Sequence, residues 1–274
     1  MKHEEYVAKV RKLNPIDDDF MRKMAEDIGF CQEIIRTIMG NPDLLVTEVK
    51  PQDYIKNLQG RSVILDAHCV TSEGEHFNVE VQKSDDDNHQ KRVRYNAACV
   101  TANITDPGCK FEKVPTLCVI YITEKDFLKK GKTTYHVDRI IRETGDRLDN
   151  GFAEIYVNAA VKDDSLTSEL MTIFTENDAY NDEKFPATSQ RKRYFKEDKK
   201  GASEMSGVLQ ELKREIMEEG RAEGRAEGRA QGRIEMMVQM YRDGKISLLD
   251  ACTYLTFTEE EFLEQEKKYN KADL

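Results

Sequence analysis

No stretch of this chain is apolar over the roughly 20 residues that a bilayer-spanning helix needs, and the opening Met1-Lys2-His3-Glu4-Glu5 lacks the pattern of a signal peptide. A soluble, cytoplasmic protein with no membrane partner is the expectation. The six cysteines, Cys31, Cys69, Cys99, Cys109, Cys118 and Cys252, contain no CxxC pair, which argues against zinc and disulfides and leaves reduced, buried thiols. A basic excess is missing too. With a net charge of -10 the chain is no generic binder of phosphate backbones. Nothing in it has the look of a helix-turn-helix or zinc finger for reading bases in the major groove.

Against these absences two carboxylates stand out. Val63 to Val70 is rich in strand formers and His76 to Gln82 alternates polar with apolar, with Thr71-Ser72-Glu73-Gly74-Glu75 between them as a hairpin turn. On such a strand Asn78, Glu80 and Gln82 share one face, while Val79, Val81 and Lys83 share the other. A hairpin that brings Asp66 alongside therefore gathers two carboxylates and an amide at one spot. Clustered carboxylates repel each other unless a cation or a proton is shared, and oxygen donors of this kind suit Mg2+ or Mn2+. An ion held by Asp66, Glu80 and the Val81 carbonyl lowers the pKa of a bound water and neutralises charge on a phosphate, which is the chemistry of phosphodiester hydrolysis. The plainer alternative is that Asp66 caps a strand end and Glu80 lies exposed on a half-solvated sheet.

The remaining pattern is α/β. Apolar residues from Phe20 to Ile38 recur at spacings of three and four, giving two short helices or one bent one between 14 and 40. After Ser84-Asp85-Asp86-Asp87-Asn88, a turn that also supplies capping residues, His89 to about Ala102 forms a helix on which His89, Arg92 and Tyr95 or Asn96 share a face. Arg92 is a candidate phosphate contact; His89 has as its alternative a partly exposed helix position with no chemical task. Thr116 to Ile122 has the near-continuous apolar character of a strand covered on both faces, and 135–137 and 153–157 supply further strands of a mixed sheet. Lys91, Arg92 and Arg94 make one basic cluster and Arg191-Lys192-Arg193 with Lys196, Lys199 and Lys200 a second; each is either a DNA contact or a solvated face.

Taken together, several segments resemble the PD-(D/E)XK nuclease family transposases, the recombination-promoting nuclease group. They are the apolar strand ending in Leu65-Asp66, the glycine-containing turn, Asn78-Val79-Glu80-Val81-Gln82 and the His/Arg-rich segment after it. Gly40-Asn41-Pro42-Asp43-Leu44-Leu45, Val119-Ile120-Tyr121-Ile122, Ile155-Tyr156-Val157-Asn158 and the Glu-Gly-Arg tail fit as well, so the likeness runs over roughly residues 14 to 235. The resemblance implies a restriction-endonuclease-like mixed sheet flanked by helices. It further implies a DNA endonuclease acting in transposition or recombination, with Asp66 and Glu80 as metal-binding carboxylates. Gln82 stands where many nucleases of this kind carry lysine, and an amide orients water only through hydrogen bonds. Lys83, next along, faces away on an ideal strand and turns inward only through a bulge. The first helices often lend the site a polar residue, for which Gln32 and Glu33 are the candidates. A catalytically degenerate nucleic-acid-binding or interaction protein, and a nuclease acting on RNA, stay open as alternatives.

The expected domains are a nuclease-like unit over 1–200, a repeat segment over 201–235 and a small helical segment over 236–274. Glu219-Gly220-Arg221-Ala222 begins a tetrad that recurs to Arg233, so its glycines form a slowly drifting stripe on a helix. Each interior glycine costs about 1 kcal/mol relative to alanine. The segment is read first as a charged linker or weak helix and second as a seam for self-association, since a glycine stripe lets another backbone approach. Ser247 and Thr258 are natural N-caps for a closing helical hairpin.

Overall fold

Asp27 splits the opening helical stretch in two. Its carboxylate accepts the Phe30 N–H at 2.8 Å, an N-cap that starts α2 (Ile28–Met39) after α1 (Asp18–Met24) has ended. Gly40, at φ +63°, takes the left-handed position that closes α2. The computed structural model describes residues 8–57, 61–83 and 88–272, so the Ser84 to Asp87 turn lies outside the described residues. The chain divides into two compact units, 1–209 and 210–274.

The first unit is built on a six-stranded mixed sheet in the order β1-β2-β3-β4-β6-β5. Its strands are β1 (Val46–Ile55), β2 (Val63–Thr71), β3 (His76–Gln82), β4 (Leu117–Thr123), β5 (Thr134–Val137) and β6 (Phe152–Asn158). β1, β2 and β3 run antiparallel, β3, β4 and β6 are parallel, and β5 closes the far edge antiparallel to β6. β1 has no counterpart in the sequence reading. It carries Pro51 and alternates few apolar residues, which an edge strand tolerates because only one side needs ladder bonds. β4, at the centre, is buried along its whole length.

Two apolar layers cover the sheet. On one side Phe20, Phe30, Ile34, Val79, Ile120 and Phe174 belong to a core formed with α1, α2, α4 (Leu166–Thr175) and α5 (Pro186–Glu197). On the other, α3 (His89–Ile104) sets Val93, Ala97 and Val100 against Leu65, Val119 and Tyr121. β2 takes part in both. Val63 and Leu65 join the α3 layer, whereas Ala67 and Cys69 join the opposite one, so the strand changes face at Asp66. The β1 residue between the paired Pro51/Ala67 and Asp53/Leu65 is Gln52, which has φ +52°. That left-handed backbone, costly outside glycine, marks the local twist that reorients Asp66.

The second basic cluster is internal at Lys192 and Lys196, which corrects their reading as DNA contacts, while Lys199 and Lys200 are exposed. Lys192 is fully buried, and its Nζ donates to the carbonyls of Ile173, Glu176 and Ala179 around the end of α4. Burial, helped by Lys196, pushes its ammonium down to about 7. Lys196 Nζ reaches Asn14 Oδ1 and Asn177 Oδ1, and Arg193 pairs with Asp182. The two lysines cap backbone and bind amide oxygens inside the protein, whereas the Arg193–Asp182 pair lies at the surface.

α6 (Lys199–Arg242) runs helically through the whole Glu-Gly-Arg repeat, which is thus helix and not coil. A Cβ placed on Gly224, Gly228 or Gly232 would meet nothing within 4 Å. In the second unit, the end of α6 packs Met237 and Val238 against Ala251, Cys252 and Phe262 of α7 (Leu248–Leu255) and α8 (Glu259–Ala272). Ser247 and Asp250 form a reciprocal capping box for α7, and Thr258 with Glu261 does the same for α8. No described helix is long and apolar enough to cross a membrane.

Candidate active site

The ladder between β2 and β3 stops at Ala67 opposite Val79, although β3 continues beside β4 to Gln82 and β2 continues beside β1 back to Val63. Where the two strands diverge, the Val81 N–H is left without a strand partner. Asp66 Oδ2 accepts it at 2.8 Å. The side chain thus replaces a ladder bond and is fixed beside Glu80 by the backbone itself.

Glu80 is buried, with 1% of its surface exposed, which excludes the solvated-sheet alternative. Asn78 Nδ2 donates to Glu80 Oε1 at 3.0 Å and Asn96 Nδ2, from α3, to the same oxygen at 3.3 Å. Burial pushes the Glu80 carboxyl up to about 7, against the pull of both amides and of the Arg92 charge. Burial and then the Glu80 charge raise Asp66 well above the carboxylate range, opposed by the Val81 N–H and Arg92. Two acids within electrostatic reach of each other, each costly to ionise, are the electrostatic signature of a cation or proton site.

A third carboxylate, on the first turn of α1, lies within electrostatic reach of the pair. The Asp18 charge acts on both Asp66 and Glu80, and burial raises its own carboxyl against the opposing Arg92. Sequence reasoning missed it: the run Asp17-Asp18-Asp19 looks like ordinary first-turn acid at a helix start. The only available signal was its position in the helix ahead of the hairpin.

Gln82 Oε1 accepts from Arg92 at 3.0 Å, so the amide and guanidinium form a unit at the end of β3. Lys83 lies past the strand end, half exposed, with Nζ on Asp17 Oδ1 at 2.7 Å. That bond raises the Lys83 ammonium, with Asp18 contributing through space. Gln32 and Glu33 do not join the acids. Gln32 Oε1 accepts the Val46 N–H, and the Glu33 carboxylate accepts the N–H groups of Ala187 and Thr188 at the start of α5. His89 is buried and not partly exposed; its Nδ1 lies 3.2 Å from Tyr121 Oη and its ring 4.6 Å from that of Phe127.

The donor set fits a hard divalent ion. Asp66 and Glu80 offer carboxylate oxygen, and among the described residues the buried Asn78 Oδ1 has no hydrogen-bond partner. No three His, Cys, Asp or Glu side chains among the described residues close a cage by themselves. An ion held here therefore keeps water or backbone oxygens, as magnesium does. A cleft of about 990 Å3 between α3 and β6 lies elsewhere, lined by Ala97, Thr101, Phe152 and Tyr156. It has volume without clustered charge.

A family model described as PD-(D/E)XK nuclease family transposase matches residues 33–184, more than half of the chain. The chain belongs to this family. No curated protein and no solved structure matches it. The matched span of the PD-(D/E)XK nuclease family holds Asp66, Glu80, Gln82 and Arg92 and the whole sheet, whereas Asp18 and the buried lysines of α5 fall outside it.

Proposed function

We propose that this PD-(D/E)XK family member is a metal-dependent DNA endonuclease associated with transposition or recombination. The observation that carries it is the pair of a half-buried Asp66 and a buried Glu80: two mutually repelling carboxylates fixed by a backbone N–H and by two amides. Asp66, Glu80 and the Val81 carbonyl would hold Mg2+ or Mn2+. Bound there, the ion supplies charge neutralisation at a phosphate and acidifies a coordinated water.

The chain's own residues do the rest. Asn78 and Asn96 both bind Oε1 of Glu80, which orients the carboxylate and leaves its second oxygen directed elsewhere. Arg92 supplies a fixed positive charge where a phosphate gains negative charge, and its bond to Gln82 Oε1 turns the Gln82 NH2 toward neighbouring acceptors such as an attacking water. Lys83 is committed to Asp17, so the cation of the site is Arg92. Asp18 adds negative charge that favours a divalent ion over a monovalent one.

A catalytically silent nucleic-acid-binding protein is the second reading, favoured by Gln82 in the place of lysine. A cleavage panel of supercoiled, linear and branched DNA and of RNA, with each divalent ion, decides. Cleavage of DNA that is lost in Asp66→Asn and Glu80→Gln supports the endonuclease; intact substrates with bound metal favour the silent binder. Cleavage of RNA alone would move the substrate class.

A further inference from the structure

The turn after β4 carries positive charge that the function above has not used. β3 and β4 are parallel with Gln82 opposite Thr123, and Glu124 donates its N–H to the Gln82 carbonyl, so residues 124–133 leave the sheet at the edge where β3 ends. This stretch holds Lys125, Lys129, Lys130 and Lys132 against two acids, Glu124 and Asp126. All four lysines are exposed. Among the described residues Lys129, Lys130 and Lys132 form no ion pair, although Asp163 lies within electrostatic reach of Lys132.

The turn is built and not merely basic. The Asp126 carboxylate is spent internally: Oδ1 accepts the Lys129 N–H at 3.0 Å, Oδ2 accepts the Gly131 N–H at 2.7 Å, and Tyr135 Oη donates at 2.9 Å. Tyr135 Oη in turn accepts the Lys132 N–H at 3.0 Å. Phe127 anchors the turn from below, its ring 4.6 Å from His89 and 5.1 Å from Tyr156. At the far end Asn158 donates to the carbonyls of Lys132 and Thr133. Lys129 adopts φ +56°, which an unrestrained lysine avoids. Between the turn and the first residues of α3, the helix that carries Arg92, lies a cleft of about 470 Å3 lined by Asn88, His89, Gln90, Phe127 and Lys129.

We propose that the turn 124–133 is a preformed clamp for the sugar-phosphate backbone of the substrate nucleic acid, with Lys129, Lys130 and Lys132 as its phosphate contacts. The inference rests on the nuclease reading and deepens it. A chain with a net charge of -10 needs a local cationic surface to hold a polyanion, and the lysines of α5 are internal. Holding the backbone through rigid main chain lowers the ordering cost of each contact. No base edge is read, so the contribution is independent of sequence.

The test is fluorescence anisotropy of a labelled DNA duplex with the full chain, in calcium in place of magnesium, across about 50 to 200 mM salt. Three lost phosphate contacts lower the slope of log K against log salt by about 2.7 and raise Kd by roughly 10- to 100-fold. That is the expected result for the triple variant Lys129→Gln, Lys130→Gln, Lys132→Gln, with rescue by arginine at the same three positions. Lys110→Gln with Lys113→Gln, which precede the opposite end of β4, should leave the slope nearly unchanged. A wild type that binds while the triple variant binds equally well, or a control pair with the same loss per charge, overturns the clamp alone. A wild type that neither binds nor cleaves overturns the nuclease reading and the clamp with it.

Discussion

Asp66 and Val81 are joined by a side-chain-to-backbone bond of 2.8 Å at the point where β2 and β3 separate. The carboxylate thus has a structural duty that survives loss of its charge. Asp66→Asn keeps an oxygen for the Val81 N–H, whereas Asp66→Ala leaves a buried donor unpaired at a cost of about 1 to 3 kcal/mol. The expected outcome is that both variants lose divalent-ion binding and cleavage, measured by calorimetry and gel assay, but only the alanine variant melts earlier. Equal melting of the two would mean that the bond does not hold the strands.

Glu80 makes the metal-free protein sensitive to pH in an uncommon direction. Its folded carboxyl is raised to about 7 from an ordinary 4.5, so between those values the folded state binds more protons than the unfolded one. Stability then falls as pH rises through this window, by about 3 kcal/mol for this group, and the group's contribution is gone above the folded value. Asp66, raised in the same direction, steepens the fall. Chemical denaturation in EDTA from about pH 4.5 to 8 should show the loss, Glu80→Gln should flatten it, and magnesium should restore stability near neutral pH. A Glu80→Gln curve parallel to the wild type would remove the raised carboxyl.

Asn96 donates to Glu80 from α3, and such a bond to a charged group is worth about 1.5 to 3 kcal/mol. Asn96→Leu fills the same space without the donor. Manganese affinity at neutral pH, followed by calorimetry, should drop by at least about tenfold while the melting temperature changes little. An unchanged isotherm would show that Asn78 alone sets the Glu80 oxygen.

The hairpin and the shared face of Asn78, Glu80 and Gln82 were legible because a period of two leaves no other arrangement for a half-buried strand. β4 declared itself by its apolar run. Three features were not legible, each for a physical reason. β1 is an edge strand whose Pro51 and polar residues imitate a loop, and it is ordered by pairing with β2. Asp18 differs from Asp17 and Asp19 only through where α1 docks: Asp17 meets Lys83, and the Asp18 charge acts on Asp66 and Glu80. The α5 cluster looked solvated because charge in sequence carries no record of which lysines find backbone carbonyls inside.

Glu33 gives the clearest contrast between a polar residue near the site in sequence and one in the chemistry. Both its oxygens are taken by the first N–H groups of α5, those of Ala187 and Thr188, at 3.1 and 2.8 Å. A carboxylate there complements the positive end of the helix and ties α2 to α5. Glu33→Gln retains one acceptor and loses the charge, so its expected cost is about 1 kcal/mol, and Glu33→Ala costs roughly 2 kcal/mol because two part-buried donors lose their partner. Urea denaturation measures both values. Per folded molecule, cleavage and metal affinity should remain at wild-type levels in each. A large loss of metal affinity in fully folded Glu33→Gln would place this carboxylate in the site and displace Asp18 as the acid that the opening helices contribute.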